Sequence, residues 1–178
     1  MKILAYSQRN DEIEFFKKFS NQYSVDLKMT EKAPSIETAD LSRGFDAIII
    51  LTTPVNKDLL NRFKENGVKF ISTRTVGYDH IDIEAAKELG IGIGNATYSP
   101  DGVADYTIML MLMAIRKIKL IMQRSSTQDF SLNMVQGLGF PKMTVGVIGT
   151  GRIGQTLIKH LIKTSFFFFF INSNNNNK

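Results

Sequence analysis

At 178 residues, 43% of them hydrophobic and 22% charged, the chain suffices for one domain, or one domain and part of another, and has a globular rather than a disordered or fibrous composition. Cysteine is absent, which excludes a disulfide framework and a thiolate metal site, and no other metal site is expected. The formal charge of +5 comes from scattered Lys and Arg, with no Asp or Glu after Asp129; no basic stripe forms, so no nucleic-acid partner is expected.

The opening MKILAYSQRNDEIEFF passes from a strand-length apolar run to charge, without the features of a signal peptide. It reads as mature protein, and a cytoplasmic location is expected. KILAY is the first candidate strand. Residues 11–19 place Ile13, Phe15, Phe16 and Phe19 at helical spacing. YSVDLKM alternates as a strand does, and DAIIIL suits a central strand covered on both faces. After Pro54, Leu59, Leu60 and Phe63 share a helical face that Gly67 closes as a left-handed cap. VKFIS is the next strand, Asp82 caps a helix over IEAAKELG that Gly90 ends, and IGIGN is the fifth strand. Strands alternating with helices predict an α/β fold with a flavodoxin-like parallel sheet over residues 1–100, its strand order unreadable from the sequence.

Residues 102–124 predict one long helix. Asp101 and Asp105 lie near its positive end, and Arg116, Lys117, Lys119 and Arg124 near its negative end. Its apolar surface is too broad for one contact, so packing on its own domain and on a partner is expected. The greasiest run, YTIMLMLMAI, stops at Arg116, short of the roughly 20 residues of a bilayer span, and no membrane association is expected. Residues 125–142 form a polar connection, and MTVGVI begins a new strand at Met143.

Gly149, Gly151 and Gly154 follow that strand as G-x-G-x-x-G. The first glycine permits a tight turn, the second admits a diphosphate to the backbone, and the third lets helix and strand pack closely. A helix follows with Ile153, Leu157, Ile158, Leu161 and Ile162 on its buried side, so the context favours a nucleotide site over a mere glycine turn. The acidic ribose binder expected about 20 residues further on is replaced by Phe and Asn. Val76 and Gly77 lie just after a strand, where open α/β sheets bind ligands, although an ordinary β-α turn fits them as well. His80 reads as a turn or capping hydrogen-bonder, His160 as solvated or at a domain boundary, and Asp79 and Asp82 as turn and cap residues.

VKFISTRTVGYDHIDIEAAKELGIGIGNATYSPDGVADYTIMLMLMAIR followed by MTVGVIGTGRIG resembles the NAD-dependent D-isomer-specific 2-hydroxyacid dehydrogenases. The D-lactate dehydrogenase group is most similar, including the enzymes of vancomycin resistance. The resemblance implies a substrate domain over residues 1–100, then the beginning of a Rossmann dinucleotide-binding domain. Residues 101–164 would hold a long interface helix and the first β-α unit, and 165–178 an aberrant low-complexity tail. It implies that Val76 and Gly77 contact a substrate carboxylate through the backbone, that Tyr98 borders the 2-oxo acid, and that Val103 packs near the nicotinamide. Gly149, Gly151, Arg152, Ile153 and Gly154 would meet the diphosphate and adenosine of NAD. A homodimer through the helix at 102–124 and a small 2-oxo or 2-hydroxy acid substrate are also implied.

Reduction of a 2-oxo acid needs a hydride donor, a cation to polarise the carbonyl, and a tuned proton donor. In the resembling family an arginine and a histidine paired with glutamate do the last two jobs from the second half of the chain. No catalytic residue is assigned in this sequence, and residues 1–178 read as an inactive N-terminal fragment. The phenylalanines at 166–170 stand where the domain's second strand should run, and a slipped reading frame at a homopolymer tract accounts for both the Phe and the Asn runs. An exposed SFFFFFI predicts poor solubility. A non-catalytic dimerisation module and a nucleotide-sensing regulator are the alternative readings.

Overall fold

The computed structural model describes residues 1–139 and 143–163 and the backbone of 167–171. It divides into two units, Met1–Tyr98 and Ser99–Lys178.

In the first unit, five short apolar segments become strands β1 (Lys2–Ala5), β2 (Asp26–Met29), β3 (Ala47–Ile50), β4 (Phe70–Thr73) and β5 (Gly92–Asn95). All pair in parallel in the order β2-β1-β3-β4-β5, which is the flavodoxin-like order. Ile48 and Ile50 of β3 are fully buried, as a run apolar on both faces requires. The connections are α1 (Ile13–Gln22), preceded by a 3-10 turn at Asn10–Glu12, a 3-10 turn at Ala39–Ser42, α2 (Lys57–Glu65) and α3 (Ile83–Glu88). Leu59, Leu60 and Phe63 drive α2 into a core shared with Leu4, Tyr6, Ile71 and Val68.

The caps expected at Asp82, Gly67 and Gly90 form, and Asn56 adds one the sequence reading did not name. Asn56 Oδ1 accepts from the Leu59 amide at 3.1 Å, and Asp82 Oδ1 accepts from the Ala85 amide at 3.0 Å. Gly67 and Gly90 end α2 and α3 with positive φ. The first helix departs from expectation, since α1 buries no residue fully and Phe15 and Phe19 are exposed. It packs beside the edge strand β2, and Phe19 stacks on Tyr23 at 6.4 Å between ring centroids.

The second unit holds α4 (Asp101–Ile115), α5 (Ile118–Ser125), β6 (Thr144–Ile148), α6 (Arg152–Ile162) and β7 (Phe167–Ile171). β6 and β7 pair in parallel through the α6 crossover, with Thr144 opposite Phe167 and Ile148 opposite Ile171. The remainder of the expected tail, residues 165–166 and 172–178, lies outside the described residues, as does residue 164.

The single helix expected over 102–124 is two helices. Lys117 takes φ 53° and ψ 35°, which ends α4 and starts α5. The later chain accounts for the break: the Leu138 amide donates to the freed Ile115 carbonyl at 3.0 Å, and Lys117 Nζ donates to the Met134 carbonyl at 2.8 Å. A Cβ on Gly137 would come within 2.8 Å of the Ile115 oxygen and 2.9 Å of Arg116 Cα, so this crossing needs glycine.

α6 buries Leu161 and half-buries Leu157 and Ile158, while Ile153 and Ile162 are exposed, contrary to the sequence reading. At about 100° per residue those two lie at the margins of the stripe centred on Leu161, roughly 80–100° to either side. Among the described residues no helix is long and apolar enough to cross a membrane.

Candidate functional site

The parallel sheet sends the segments after β1, β3, β4 and β5 to one edge. They are stitched together there. The Arg74 amide donates to the Ile50 carbonyl at 3.0 Å, Thr73 Oγ1 to the Leu51 carbonyl at 2.9 Å, and the Ala96 amide to the Thr75 carbonyl at 3.0 Å.

On this edge Val76 and Gly77 are exposed, and their carbonyls are occupied. Asn95 Nδ2 donates to the Val76 oxygen at 2.7 Å, and Thr75 Oγ1 donates to the Gly77 oxygen at 2.6 Å. The Val76 and Gly77 amides have no hydrogen-bond partner among the described residues. Consecutive N–H groups can bind an anion where a turn aims them at one point. A hollow of about 280 Å³ lined by Tyr78, Ile83, Ile93 and Asn95 opens beside them. Tyr98, at the end of this unit, is 56% exposed. His80 serves the turn: its carbonyl accepts from the Val55 amide at 2.7 Å, and its Nε2 lies 3.3 Å from Thr73 Oγ1.

Asn95 and Arg74 were not singled out from the sequence, though both shape this edge. Register offers the missed signal for Asn95, because β4 and β5 pair Thr73 with Asn95 and so set the carboxamide beside the loop that leaves β4. Arg74 turns away from the loop toward Glu12, Tyr6 and Ser7. Its burial lowers the guanidinium's pKa from the ordinary value, an effect the Glu12 charge opposes.

In the second unit the glycine motif forms the turn from β6 into α6. Gly149 has φ 91°, accessible to glycine at little cost. A Cβ on Gly154 would overlap the Gly149 carbonyl oxygen, so strand and helix touch at this point. Gly151 is the N-cap, extended, with nothing within 4 Å of where its Cβ would stand. The first-turn amides of a helix lack intrahelical partners, and no acidic residue opposes an anion in the first turn of α6. Arg152 and Ile153 are exposed at the same end. This open, carboxylate-free cradle fits the diphosphate of a dinucleotide. Val103 is half-buried in the first turn of α4.

His160 is neither free nor merely solvated. Its Nδ1 lies 2.9 Å from Asp105 Oδ1 and its Nε2 3.3 Å from Asp101 Oδ1, which ties α6 to the start of α4. Both ring nitrogens thus face carboxylates of α4. Hydrogen bonding from Ser99, followed by His160, holds the Asp101 carboxyl below its ordinary range. Among the described residues no group of three or more His, Asp or Glu is arranged to hold a metal.

A parallel sheet in this order, followed in the chain by a glycine-turn β-α-β unit, defines an α/β protein. The chain belongs to the D-isomer specific 2-hydroxyacid dehydrogenase family, whose catalytic-domain model matches residues 3–162. An aromatic 2-oxoacid reductase of Clostridium sporogenes is 43% identical over 163 residues, covering 89% of this chain and 49% of the relative. The apo-structure of D-lactate dehydrogenase from Escherichia coli superposes with a TM-score of 0.86 at 28% identity, over 99% of this chain and 56% of that one. An NAD-complexed D-isomer specific 2-hydroxyacid dehydrogenase from Lactobacillus delbrueckii ssp. bulgaricus gives 0.77 at 25% identity, over 99% and 55%. The chain spans about half the length of the curated relatives it matches.

Proposed function

We propose that the chain supplies the substrate-binding unit and the first nucleotide-binding unit of an NAD-dependent oxidoreductase that interconverts small D-2-hydroxy acids and 2-oxo acids, of the D-lactate and pyruvate type. The observation that carries this reading is the pair of unpartnered amides at Val76 and Gly77, exposed where the sheet's strands end. They would receive the substrate carboxylate. Asn95 and Thr75 each donate to one of the neighbouring carbonyls, which lessens the repulsion those oxygens would offer a carboxylate. Tyr98 would border the rest of the substrate, and the hollow beside Tyr78 would take its side chain.

Gly149, Gly151 and Gly154 would admit the cofactor diphosphate, with Arg152 and Ile153 on its flank and Val103 toward the nicotinamide. NADH supplies the hydride when bound. We assign the proton transfer to neither histidine: His80 lies against Thr73 in the turn, and His160 pairs with Asp101 and Asp105 of α4. We therefore expect residues 1–178 to bind ligand without turnover. Tyr106, Met109, Leu110 and Leu112 leave an apolar face on α4, which supports a second copy of the chain as partner.

Calorimetric titration with NADH, and amide shifts at Val76 and Gly77 on adding pyruvate or phenylpyruvate, test the reading. Binding of neither would overturn it, and the tighter of the two oxo acids identifies the substrate class. NADH oxidation by these residues alone would refute the expectation of no turnover.

A further inference from the structure

The loop that presents the Val76 and Gly77 amides begins at Arg74, whose side chain leaves in the opposite direction. Nη1 donates to the Tyr6 carbonyl at 3.0 Å and Nη2 to the Ser7 carbonyl at 2.7 Å. Nε faces Glu12 Oε1 at 3.2 Å as an ion pair without hydrogen-bond alignment, and the guanidinium carbon lies 5.6 Å from the Phe16 ring centroid. The Arg74 and Glu12 side chains are only 14% and 18% exposed. An exposed ion pair contributes little, whereas a mostly buried one leaves an uncompensated charge when either partner is removed.

The direction of reach matters more than the energy. With β1, β3 and β4 adjacent, the side chain passes from the end of β4, over β3, to the end of β1. In this strand order the β1/β3 boundary is where connections diverge and ligands commonly enter. Here the chain's own cation lies across it. Ser7, one of its two carbonyl partners, has φ 51°, a left-handed conformation disfavoured for a residue other than glycine. The guanidinium and the Lys32 carbonyl, which accepts from the Ser7 amide at 2.9 Å, hold it there.

We propose that Arg74 is a positioning residue: it clamps the start of the Val76–Gly77 loop to the segment after β1, so that the two amides stay aimed at a 2-oxo acid carboxylate which Arg74 itself does not touch. The inference rests on the reading of those amides as the carboxylate site. Glu12 is its counterweight, shared with Arg9, whose amide donates to Glu12 Oε2 at 3.1 Å.

The test compares Arg74→Met and Arg74→Lys with Asn66→Ala in the isotope-labelled chain. Asn66 is a fair control for lost stability, because its Nδ2 donates to the Ala39 carbonyl at 2.8 Å and to Ser42 Oγ at 3.2 Å, before the strands begin rather than after they end. Backbone relaxation of residues 75–77 and the pyruvate Kd are the two readouts. Arg74→Met is expected to raise mobility at Val76 and Gly77 and weaken pyruvate by about tenfold or more. Arg74→Lys should fall between, since an ammonium satisfies Glu12 but does not bridge two carbonyls. Asn66→Ala should melt earlier and change neither readout. Unchanged relaxation in both Arg74 variants overturns the proposal, as does an equal loosening by Asn66→Ala. If Arg74→Met does not fold, Arg74→Lys and Glu12→Gln carry the same comparison. Absence of any pyruvate response in the unaltered chain would defeat the carboxylate reading, while relaxation would still decide whether Arg74 fixes the loop.

Discussion

Replacing Gly151 and Gly154 separately by alanine should separate two jobs done by one turn. At Gly154 the new methyl would overlap the Gly149 carbonyl oxygen and lie 3.1 Å from its carbonyl carbon. Both are backbone atoms of a residue fixed at φ 91°, so neither withdraws easily. Overpacking of this kind costs about 1–3 kcal/mol, which accelerates exchange of the α6 amides by about 5- to 150-fold where that helix opens as a unit. At Gly151 no atom lies within 4 Å of the new methyl. An N-cap change from glycine to alanine costs some tenths to about 1 kcal/mol, and the stiffer unfolded chain returns about 0.4–1 kcal/mol. The net effect on stability is near zero. That methyl nevertheless occupies the approach a diphosphate would use. Hydrogen exchange of α6 together with NADH calorimetry is the assay: Gly154→Ala should lose protection, and Gly151→Ala should keep protection and lose NADH. Undiminished NADH affinity in Gly151→Ala would refute the cradle, and undiminished protection in Gly154→Ala would refute the close packing.

Three further outcomes are expected. Burial, with a smaller contribution from Asp40, raises the Tyr6 phenol from 10.0 to about 12; the stability it contributes is complete below pH 10 and lost as pH rises toward 12, so circular dichroism should show alkaline unfolding in that window. Tyr6→Phe should delay that unfolding and cost about 1 kcal/mol at neutral pH through the lost bond to the Thr38 carbonyl, 2.9 Å away. The Asp101 carboxyl is held below its ordinary range, so its contribution is present above the unfolded value of about 4 and lost as pH falls through the folded one; exchange at the start of α4 and at the end of α6 should quicken in acid, and Asp101→Asn should remove that dependence. Lys117→Gly should leave the denaturant midpoint nearly unchanged, since relief of the left-handed side-chain penalty, about 1 kcal/mol, offsets the lost bond from Lys117 Nζ to the Met134 carbonyl. Lys117→Ala, which loses the bond and keeps the penalty, should lower it, and an equal midpoint in the two variants would contradict the account of the helix break.

The strands of the first unit were legible because most are short apolar runs, or alternate as YSVDLKM does, with Gly67, Asp82 and Gly90 marking the helix ends between them. Their order was not, because all five are parallel and any of them pairs with any other by the same backbone chemistry. The interruption at Lys117 was invisible for a different reason: apolar periodicity runs through it, and the groups that stabilise it, Met134, Gly137 and Leu138, come from later in the chain. Of the candidate site, the glycine turn and the Val76–Gly77 loop could be read from local spacing. The contacts of Asn95, Arg74 and His160 join residues 19, 68 and 55 positions apart and were beyond any local pattern.

The hydrogen bond from Leu138 to Ile115 brings the two ends of residues 116–137 together. Geometrically, α5 and the residues after it make a closed detour that departs from α4 and returns to the same spot. Lengthening or shortening the stretch between α5 and Met134 leaves the bonds of Lys117, Met134 and Leu138 in place, and closing a longer excursion costs only about 0.6 kcal/mol per doubling. It is therefore the natural place in this chain to graft a reporter peptide or affinity handle while leaving the glycine turn as it stands.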